Sequence, residues 1–544
     1  MLKDQLASFS GEIAQDAQTL TRYSRDASLF FVRPSAVAFP KSVSDIKTLV
    51  RYVSEHPGTA LTARAAGTDM TGGPLSDSVI VDMTRHFNRI GRIDAAAHTA
   101  IVEPGVFYRD FELATLAANL FLPSYPASRE MCTVGGMVAN NAGGEKTLAY
   151  GKTERYVHRL KVILADGNEY SFSPLTAPEL AQKESQRDFE GEAYRRLHEL
   201  IERNYERIQN ARPKVSKNSA GYAVWDVWDR GVFDMTKLFT GSQGTLGIIT
   251  EIEFRLVEPM PHSVLLAIFL RDIAALGKLV AEVLKHKPET FESFDNHTLM
   301  LTLRYLPSLM RLLKAKSIDS LAWRFLPEFW MAATGGIPKL VLLAEFTAAT
   351  TEEATERAQR ARAALAQLPA KTHLITTAPE AQKYWTMRRE SFNLLRNHLK
   401  GKRTAPFIDD IIVRPEYLPE FLPQLNEILE QYKTLTYTIA GHAGDGNFHI
   451  IPLVDARDPH LREIIKDLSE KVYALVNRFH GSITAEHNDG LIRTPFLSDM
   501  FGRDVYQLFG EVKRIFDPKN IFNPRKKYGG TLAYALEHLY QENK

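Results

Sequence analysis

His442 and His449 stand seven residues apart in the run Ala440-Gly-His-Ala-Gly-Asp-Gly-Asn-Phe-His449. Both flanks, Leu435-Thr-Tyr-Thr-Ile439 and Phe448-His-Ile-Ile-Pro-Leu-Val454, read as strands. Asp445-Gly446 between them is a two-residue hairpin signal, because both residues tolerate the positive φ of such turns. A turn centred there sets His442 directly opposite His449 on one face. Cross-strand Cβ atoms are roughly 4.5–5.5 Å apart, close enough for two imidazoles to share a metal ion. The plain alternative is a packed, hydrogen-bonded pair of histidines. Glu486-His487 adds a carboxylate and a further imidazole downstream, which favours the chemical reading.

Elements must hold these groups, and the glycine clusters indicate what they work beside. Arg64-Ala-Ala-Gly-Thr-Asp-Met-Thr-Gly-Gly73 follows the strand-like Ala60-Leu-Thr-Ala63, and its small residues let backbone N–H groups surround an anion. Thr133-Val-Gly-Gly-Met-Val-Ala-Asn-Asn-Ala-Gly-Gly144 holds four glycines and two asparagines in twelve residues. Each glycine costs up to about 1 kcal/mol where regular structure forms, so something must approach this chain closely, and a planar, polyphosphate-bearing cofactor would do so. Gly241-Ser-Gln-Gly-Thr-Leu-Gly-Ile-Ile-Thr250 fits the same account. None of the three is a dinucleotide G-x-G-x-x-G or a Walker A loop, which disfavours nicotinamide dehydrogenases and P-loop ATPases.

Bulk properties bound the rest. A chain of 544 residues, 44% hydrophobic and 24% charged, has the composition of an ordinary globular enzyme with several cores. A net charge of +2 argues against nucleic acid as a partner. The single cysteine, Cys132, excludes a disulfide framework and a self-contained four-cysteine iron–sulfur cluster, and nothing beside it activates a thiolate. Neither a signal-peptide core nor an apolar run of about eighteen residues occurs, so a cytoplasmic location is expected.

Residues 1–32 read as a helical segment and 33–258 as alternating strands, helices and glycine-rich turns. Ser44 is the expected cap of a helix over 45–55, and Tyr108–Leu120 reads as another helix. After Pro259-Met-Pro261 a duplication appears. Strand 263–270, helix 273–285 and strand 290–294 are echoed by strand 340–346, helix 352–368 and strand 372–376. Two such βαβ units predict a ferredoxin-like sheet over 259–415. Leu299–Trp330, apolar but studded with basic residues, reads as helical packing or as a peripheral membrane contact. Residues 416–544 carry the histidine hairpin and further helices.

Taken in order, these motifs resemble the flavin-dependent dehydrogenases of the vanillyl-alcohol-oxidase type. Within them the chain is similar to the branch holding D-lactate, glycolate and D-2-hydroxyglutarate dehydrogenases. The resemblance runs over roughly 23–525. It rests on Pro34-Ser-Ala-Val37 with Pro40, the loop 64–73, Val134–Gly144 with Tyr150-Gly151, Arg212-Pro-Lys214 with Gly221-Tyr222, and Gly241–Thr250. It continues through Trp385-Thr-Met-Arg388, Gly441–His449, Ala485-Glu-His487 and Asn523-Pro524.

The resemblance implies an α+β fold: a two-subdomain PCMH-type FAD-binding domain, a ferredoxin-like substrate (cap) domain and a C-terminal helical segment. FAD would meet Arg64, Ala65, Ala66, Gly67, Thr68, Asp69, Thr71 and Gly72 at its pyrophosphate. Pro126, Thr133, Gly135, Gly136, Asn140, Asn141, Ala142, Gly143, Gly144, Tyr150, Gly151, Gly244, Gly247, Ile248, Ile249 and Asn523 would line the remainder. The first loop lacks the histidine of covalently flavinylated relatives, so dissociable FAD is expected. Family metal ligands fall on His442, His449 and Glu486, a donor set suiting Zn²⁺, with Mn²⁺ or Fe²⁺ allowed by ligand type. His487 takes the part of the base and Arg388 that of the substrate-carboxylate partner. Asp445 and Asp489 read as turn residues, and Arg493 as a second carboxylate reader or a surface group.

The chain departs from the family pattern in places. Ala65 and Ala66 stand where relatives usually have glycines, and Gln243 replaces the usual glutamate. Glu486-His-Asn-Asp-Gly-Leu-Ile-Arg493 is similar to long relatives with an iron–sulfur domain, which one cysteine does not provide here. A separate iron–sulfur protein or a quinone is the implied electron acceptor, with peripheral contact at the inner membrane face a corollary. An alditol or alcohol oxidase of the same fold, or a non-catalytic flavoprotein subunit, are the competing readings. The His/His/Glu set argues against both.

Overall fold

The computed structural model describes Leu6 and residues 8–296, 338–398, 402–433 and 435–541. The basic segment Leu299–Trp330 lies outside these. Two sheets build the first part of the chain. Strands Ala36–Phe39, Val79–Asp82 and Leu61–Arg64 lie parallel, with Glu12–Ala14 antiparallel at the edge. The helix Val43–Glu55 closes the first crossover and buries Ile46, Leu49, Val50 and Val53, a helical spacing of apolar positions. Its cap is Ser42, two residues before the expected Ser44, because Ser42 and Asp45 cap one another reciprocally. The second sheet is antiparallel: Ile90–Asp94, Thr99–Val102, Ile248–Arg255, Val157–Ile163 and Glu169–Phe172 in that order.

Three local expectations are corrected. The leading segment is not simply helical, since Glu12–Ala14 pairs as a strand and the helix spans only Ala17–Tyr23; three residues are too few to show alternation. The helix from Tyr108 stops at Leu116. The glycine cluster at 133–144 is not a loop throughout, because Val134–Asn140 is helical. Thr133 caps that helix by accepting from Gly136 N, and a side chain at Gly135 would collide with the backbone of Pro104. The close approach foreseen there is, at Gly135, that of the protein's own chain.

The third sheet holds the site. Its order is Ala370–Ile375, His262–Leu270, Leu340–Ala348, Thr290–Asp295, Thr436–His442, Asn447–Val454 and Arg403–Thr404, with Ile411–Ile412 also on Asn447–Val454. The first four follow the 4-1-3-2 order of a ferredoxin-like sheet, as the duplication predicts. The histidine hairpin then adds to Thr290–Asp295 through Ser293 opposite Gly441 and Phe294 opposite Ala440, so one sheet runs across position 415. The chain returns to the first part of the fold through Leu497–Phe516, whose Val505, Leu508, Phe509 and Val512 share a core with Leu197, Leu200 and Tyr222. No described helix is long and apolar enough to cross a membrane.

Candidate active site

The hairpin register differs from the expected one by two residues. His442 pairs with Asn447 and Ala440 with His449. The loop is Ala443–Gly446, closed by Asp445 N on His442 O (3.0 Å) and Gly446 N on Ala443 O (3.2 Å). Gly446 has φ +73°, and a Cβ there would strike the carbonyl of Val413, so the tight loop needs glycine. A shift of two preserves the face, and the histidines become diagonal neighbours. Their ring centroids are 5.2 Å apart, at 86° to each other.

Two carboxylates outside the hairpin hold these rings. Glu292 Oε1 lies 2.5 Å from His442 Nδ1, and Asp409 Oδ1 lies 3.2 Å from His449 Nδ1. Both Nε2 atoms are left toward Glu486, at 3.4 Å from Oε1 for His442 and 3.9 Å from Oε2 for His449. An imidazole anchored at Nδ1 and offering Nε2 is the usual arrangement of a metal-ligating histidine. Asp410 is also near, with His449, Glu486 and His487. It is already occupied: Oδ2 accepts from Thr484 Oγ1, Glu486 N and His487 N, and Oδ1 from Asn447 Nδ2. Among the described residues, the side chains close enough to share one cation are those of Asp410, His449, Glu486 and His487, and His442 adds Nε2 at 3.4 Å from Glu486 Oε1, while Asp410 also fixes the backbone beneath them.

Lys217 was not foreseen. Fully buried, it sets Nζ 2.7 Å from Glu486 Oε1 and 3.0 Å from Asp445 Oδ2. Burial acts against its charge, but Asp445 and Glu486 outweigh that and raise its pKa. The carboxyl of Glu486 is held well below its ordinary range; burial would raise it, and Lys217, His442 and His449 overcome that. His487 stacks on His449 at 5.0 Å, its Nδ1 2.7 Å from Asp409 Oδ2 but not aligned for a hydrogen bond. Burial opposes protonation of His487, yet Asp410 and Asp409 push its pKa to about 9. His442 is pushed to about 9 against burial mainly by Glu292. Arg388, from the helix Ala378–His398, reaches Glu292 Oε2 at 3.0 Å.

Lone residues such as Lys217, Glu292 and Asp409 carry no spacing signal. Two of the three are marked by their neighbours: Glu292 interrupts the apolar strand Phe291-Glu-Ser-Phe294, and Asp409-Asp410 sits between Phe407-Ile408 and Ile411-Ile412. Arg493 is not a surface group. It is fully buried and donates to Asn488 O and Asp409 O. Asp489 pairs with Lys527 at 2.9 Å, and Asp445 faces Lys217 rather than solvent.

The three glycine segments meet beside this cluster. Gln243 N and Gly241 N donate to Ala139 O and Val138 O. Asn523 Nδ2 donates to both Gly73 O and Gln243 O. A Cβ on Gly136 would contact Ala65, and one on Gly143 would lie 3.2 Å from Glu486 Oε1. Asp69 Oδ1 closes the first loop by accepting from Thr71 N, Thr71 Oγ1 and Gly73 N. Arg64 packs its guanidinium against Gly67 of the loop and donates to Tyr23 O and Arg25 O. Asn141 accepts from Glu154 N, and Gly144 N donates to Thr147 Oγ1. Tyr150 packs edge-on against Phe121, and Gly151 N donates to Thr147 O. Ile248 and Ile249 lie in strand opposite Ile163 and Val162. Among the described residues, Asn140 Oδ1 and Gln243 Nε2 are buried with no hydrogen-bond partner. Such atoms are open to a water or a ligand, and their place among the glycine segments fits an FAD.

Asn140 Nδ2 donates to Glu486 O, and Asn488 Nδ2 to Asn140 O and Gly241 O. The cofactor segments and the histidine–glutamate cluster thus share a wall.

Comparison with known proteins agrees with this architecture. The family model described as "FAD binding domain" matches residues 34–173, and that described as "FAD linked oxidases, C-terminal domain" matches 260–527. A D-2-hydroxyglutarate dehydrogenase of Pseudomonas putida is 28% identical over 528 residues, 95% of this chain and 50% of the relative. The chain therefore spans about half the length of that protein. A glycolate oxidase subunit GlcD of Bacillus subtilis is 28% identical over 539 residues, covering 97% of this chain and 96% of the relative. A D-lactate dehydrogenase of Archaeoglobus fulgidus is 26% identical over 494 residues, 90% of each. Among solved structures, a 4-ethylphenol oxidase from Gulosibacter chungangensis superposes with a TM-score of 0.67 at 16% identity, over 95% of this chain and 94% of that one; this shows the fold. With both halves of the fold matched, the chain belongs to the FAD-linked oxidases.

Proposed function

We propose that this chain oxidises a D-2-hydroxy acid (D-lactate, glycolate or D-2-hydroxyglutarate) to the 2-keto acid, using non-covalent FAD and a divalent metal. The observation that carries this reading is the convergence of His442 Nε2, His449 Nε2 and the Glu486 carboxylate, with both Nδ1 atoms anchored, beside the glycine segments. The relatives named for 2-hydroxy-acid oxidation support the substrate class. When bound, FAD supplies the hydride acceptor and the metal, best matched by Zn²⁺ with Mn²⁺ or Fe²⁺ allowed, lowers the pKa of the substrate hydroxyl.

The chain's own residues do the rest. Arg388 pairs with the substrate carboxylate, and Glu292 holds its guanidinium from behind. His487 takes the hydroxyl proton. That needs the neutral ring; Asp410 and Asp409 favour the protonated one, and a divalent cation held by His442, His449 and Glu486 would favour the neutral one. Electrons then leave for a separate iron–sulfur protein or a quinone, in keeping with a single cysteine in the chain. Cytoplasmic placement, with contact at the inner membrane face, accompanies that acceptor.

The test is anaerobic bleaching of the bound flavin by D-lactate, glycolate and D-2-hydroxyglutarate, with the L forms of the chiral acids as controls. Bleaching by one or more of these, and by the D form only where chirality applies, is expected. An unchanged flavin spectrum with every one of them would overturn the reading.

A further inference from the structure

We infer that Glu292 is a positioning residue with two charges in its care: one buried carboxylate orients Arg388 for the substrate and His442 for the metal. This rests on the site roles proposed above. Glu292 lies on Thr290–Asp295 in the middle of the third sheet, opposite Leu343, and is 1% exposed. A carboxylate in that setting is strongly unfavourable unless every lone pair is answered. Each oxygen answers to a different element. Oε1 meets His442 Nδ1 on the hairpin, and Oε2 meets Arg388 Nη2 on the helix Ala378–His398.

The backbone enforces the meeting. Ser293 and Phe294 are hydrogen-bonded neighbours of Gly441 and Ala440, Ser293 Oγ donates to Gly441 O, and Gly444 N donates to Phe291 O. Glu292 is therefore held against the histidine strand by contacts on both sides of it. With Nδ1–H donated to Glu292, His442 has one tautomer left, which presents Nε2 toward Glu486. With one face of its guanidinium tied to the same carboxylate, Arg388 meets the substrate already oriented and partly neutralised. The carboxylate of Glu292 is engaged by His442 and Arg388, so its influence passes through these two side chains.

The holoenzyme with FAD and zinc provides the test, with two readouts that need no turnover. Zinc affinity is measured by competition with a chelator. Oxalate affinity is measured at saturating zinc from the flavin absorbance change. Glu292→Gln is expected to weaken zinc by 10–100-fold, the range for loss of a partner behind a metal-ligating histidine, and oxalate by about tenfold. In an Arg388→Met background the oxalate effect should vanish while the zinc effect persists, as a double-mutant cycle through a shared partner requires. Zinc affinity within about twofold of wild type, or oxalate losses that simply multiply between the two substitutions, overturns the inference. Should Glu292→Gln not fold, Glu292→Asp keeps the charge but is too short to span both partners, and wild-type values in both measurements would overturn it equally. A flavin that no D-2-hydroxy acid bleaches counts against the proposed activity instead, and leaves the zinc and oxalate results to decide the role of Glu292.

Discussion

At the scale of single residues, the site is a set of imidazoles each faced by a buried carboxylate: His442 by Glu292, His449 and His487 by Asp409. Removing His487 tests the proton-transfer role. His487→Ala is expected to keep FAD and metal but to slow flavin reduction by about 10²–10⁴-fold, the usual worth of a general base; unaltered stopped-flow kinetics would remove it from the reaction. The same residue makes a pH prediction for metal-free protein. Its folded pKa of about 9 lies above the ordinary value of 6.5. Its stabilising contribution is therefore full below about 6.5 and lost as pH rises through about 9. In urea unfolding with chelator present, the stability gap between wild type and His487→Ala should narrow over that window. Lys217 makes a third case. Lys217→Met leaves Asp445 and Glu486 as buried carboxylates without their shared cation, a loss of about 3–5 kcal/mol for broken buried pairs. Thermal melts should show this in metal-free protein, with a larger recovery on adding Zn²⁺ than in wild type.

At the scale of elements, the duplicated strand–helix–strand pattern was legible because strands such as His262–Leu270 and Leu340–Ala348 are nearly continuous apolar runs. The histidine hairpin was legible too, but its register was not. Asp-Gly signals a two-residue turn locally, whereas the four-residue loop is dictated by Val413, whose carbonyl crowds Gly446 from a distant segment. The same limit hid the helix Val134–Asn140: composition shows that its glycines make room, not that Pro104 fills the room at Gly135. Glu292, Asp409 and Lys217 went unassigned because a lone charged residue has no period to betray it. The loop gives a test at this scale. Gly446→Ala must bear a positive φ, about 1–2 kcal/mol, together with the clash on Val413. Gly529→Ala has φ +74° with nothing within 4 Å of the added carbon, so it bears only the first cost. Chemical denaturation should find Gly446→Ala clearly the more destabilised, and only Gly446→Ala should lose zinc affinity. Equal losses in both would show that the loop is not held as described.

At the scale of the molecule, the two candidate sites are joined by polar contacts between residues hundreds of positions apart. Asn523 ties Gly73 to Gln243, Gln243 accepts from Gly490 N, and Thr71 O accepts from Leu491 N. Across the same interface Arg389 grips Glu145 at 2.6 Å, and Lys146 pairs with Glu289. The segment Glu486–Asn488 is held by hydrogen bonds to Asp410 and Asn140. Its backbone, and the glycine segments it supports, should therefore keep their shape when the metal is stripped. Chelator treatment is expected to leave the bound-flavin spectrum intact while abolishing its bleaching by the D-2-hydroxy acid. Zn²⁺ or Mn²⁺ should restore bleaching without added FAD. If flavin is released together with the metal, the two sites are one cooperative unit, and these polar contacts are too weak to hold the wall alone. If bleaching persists in rigorously metal-free protein, His442, His449 and Glu486 hold no catalytic ion, and the Lys217 ammonium is the cation on which Glu486 depends.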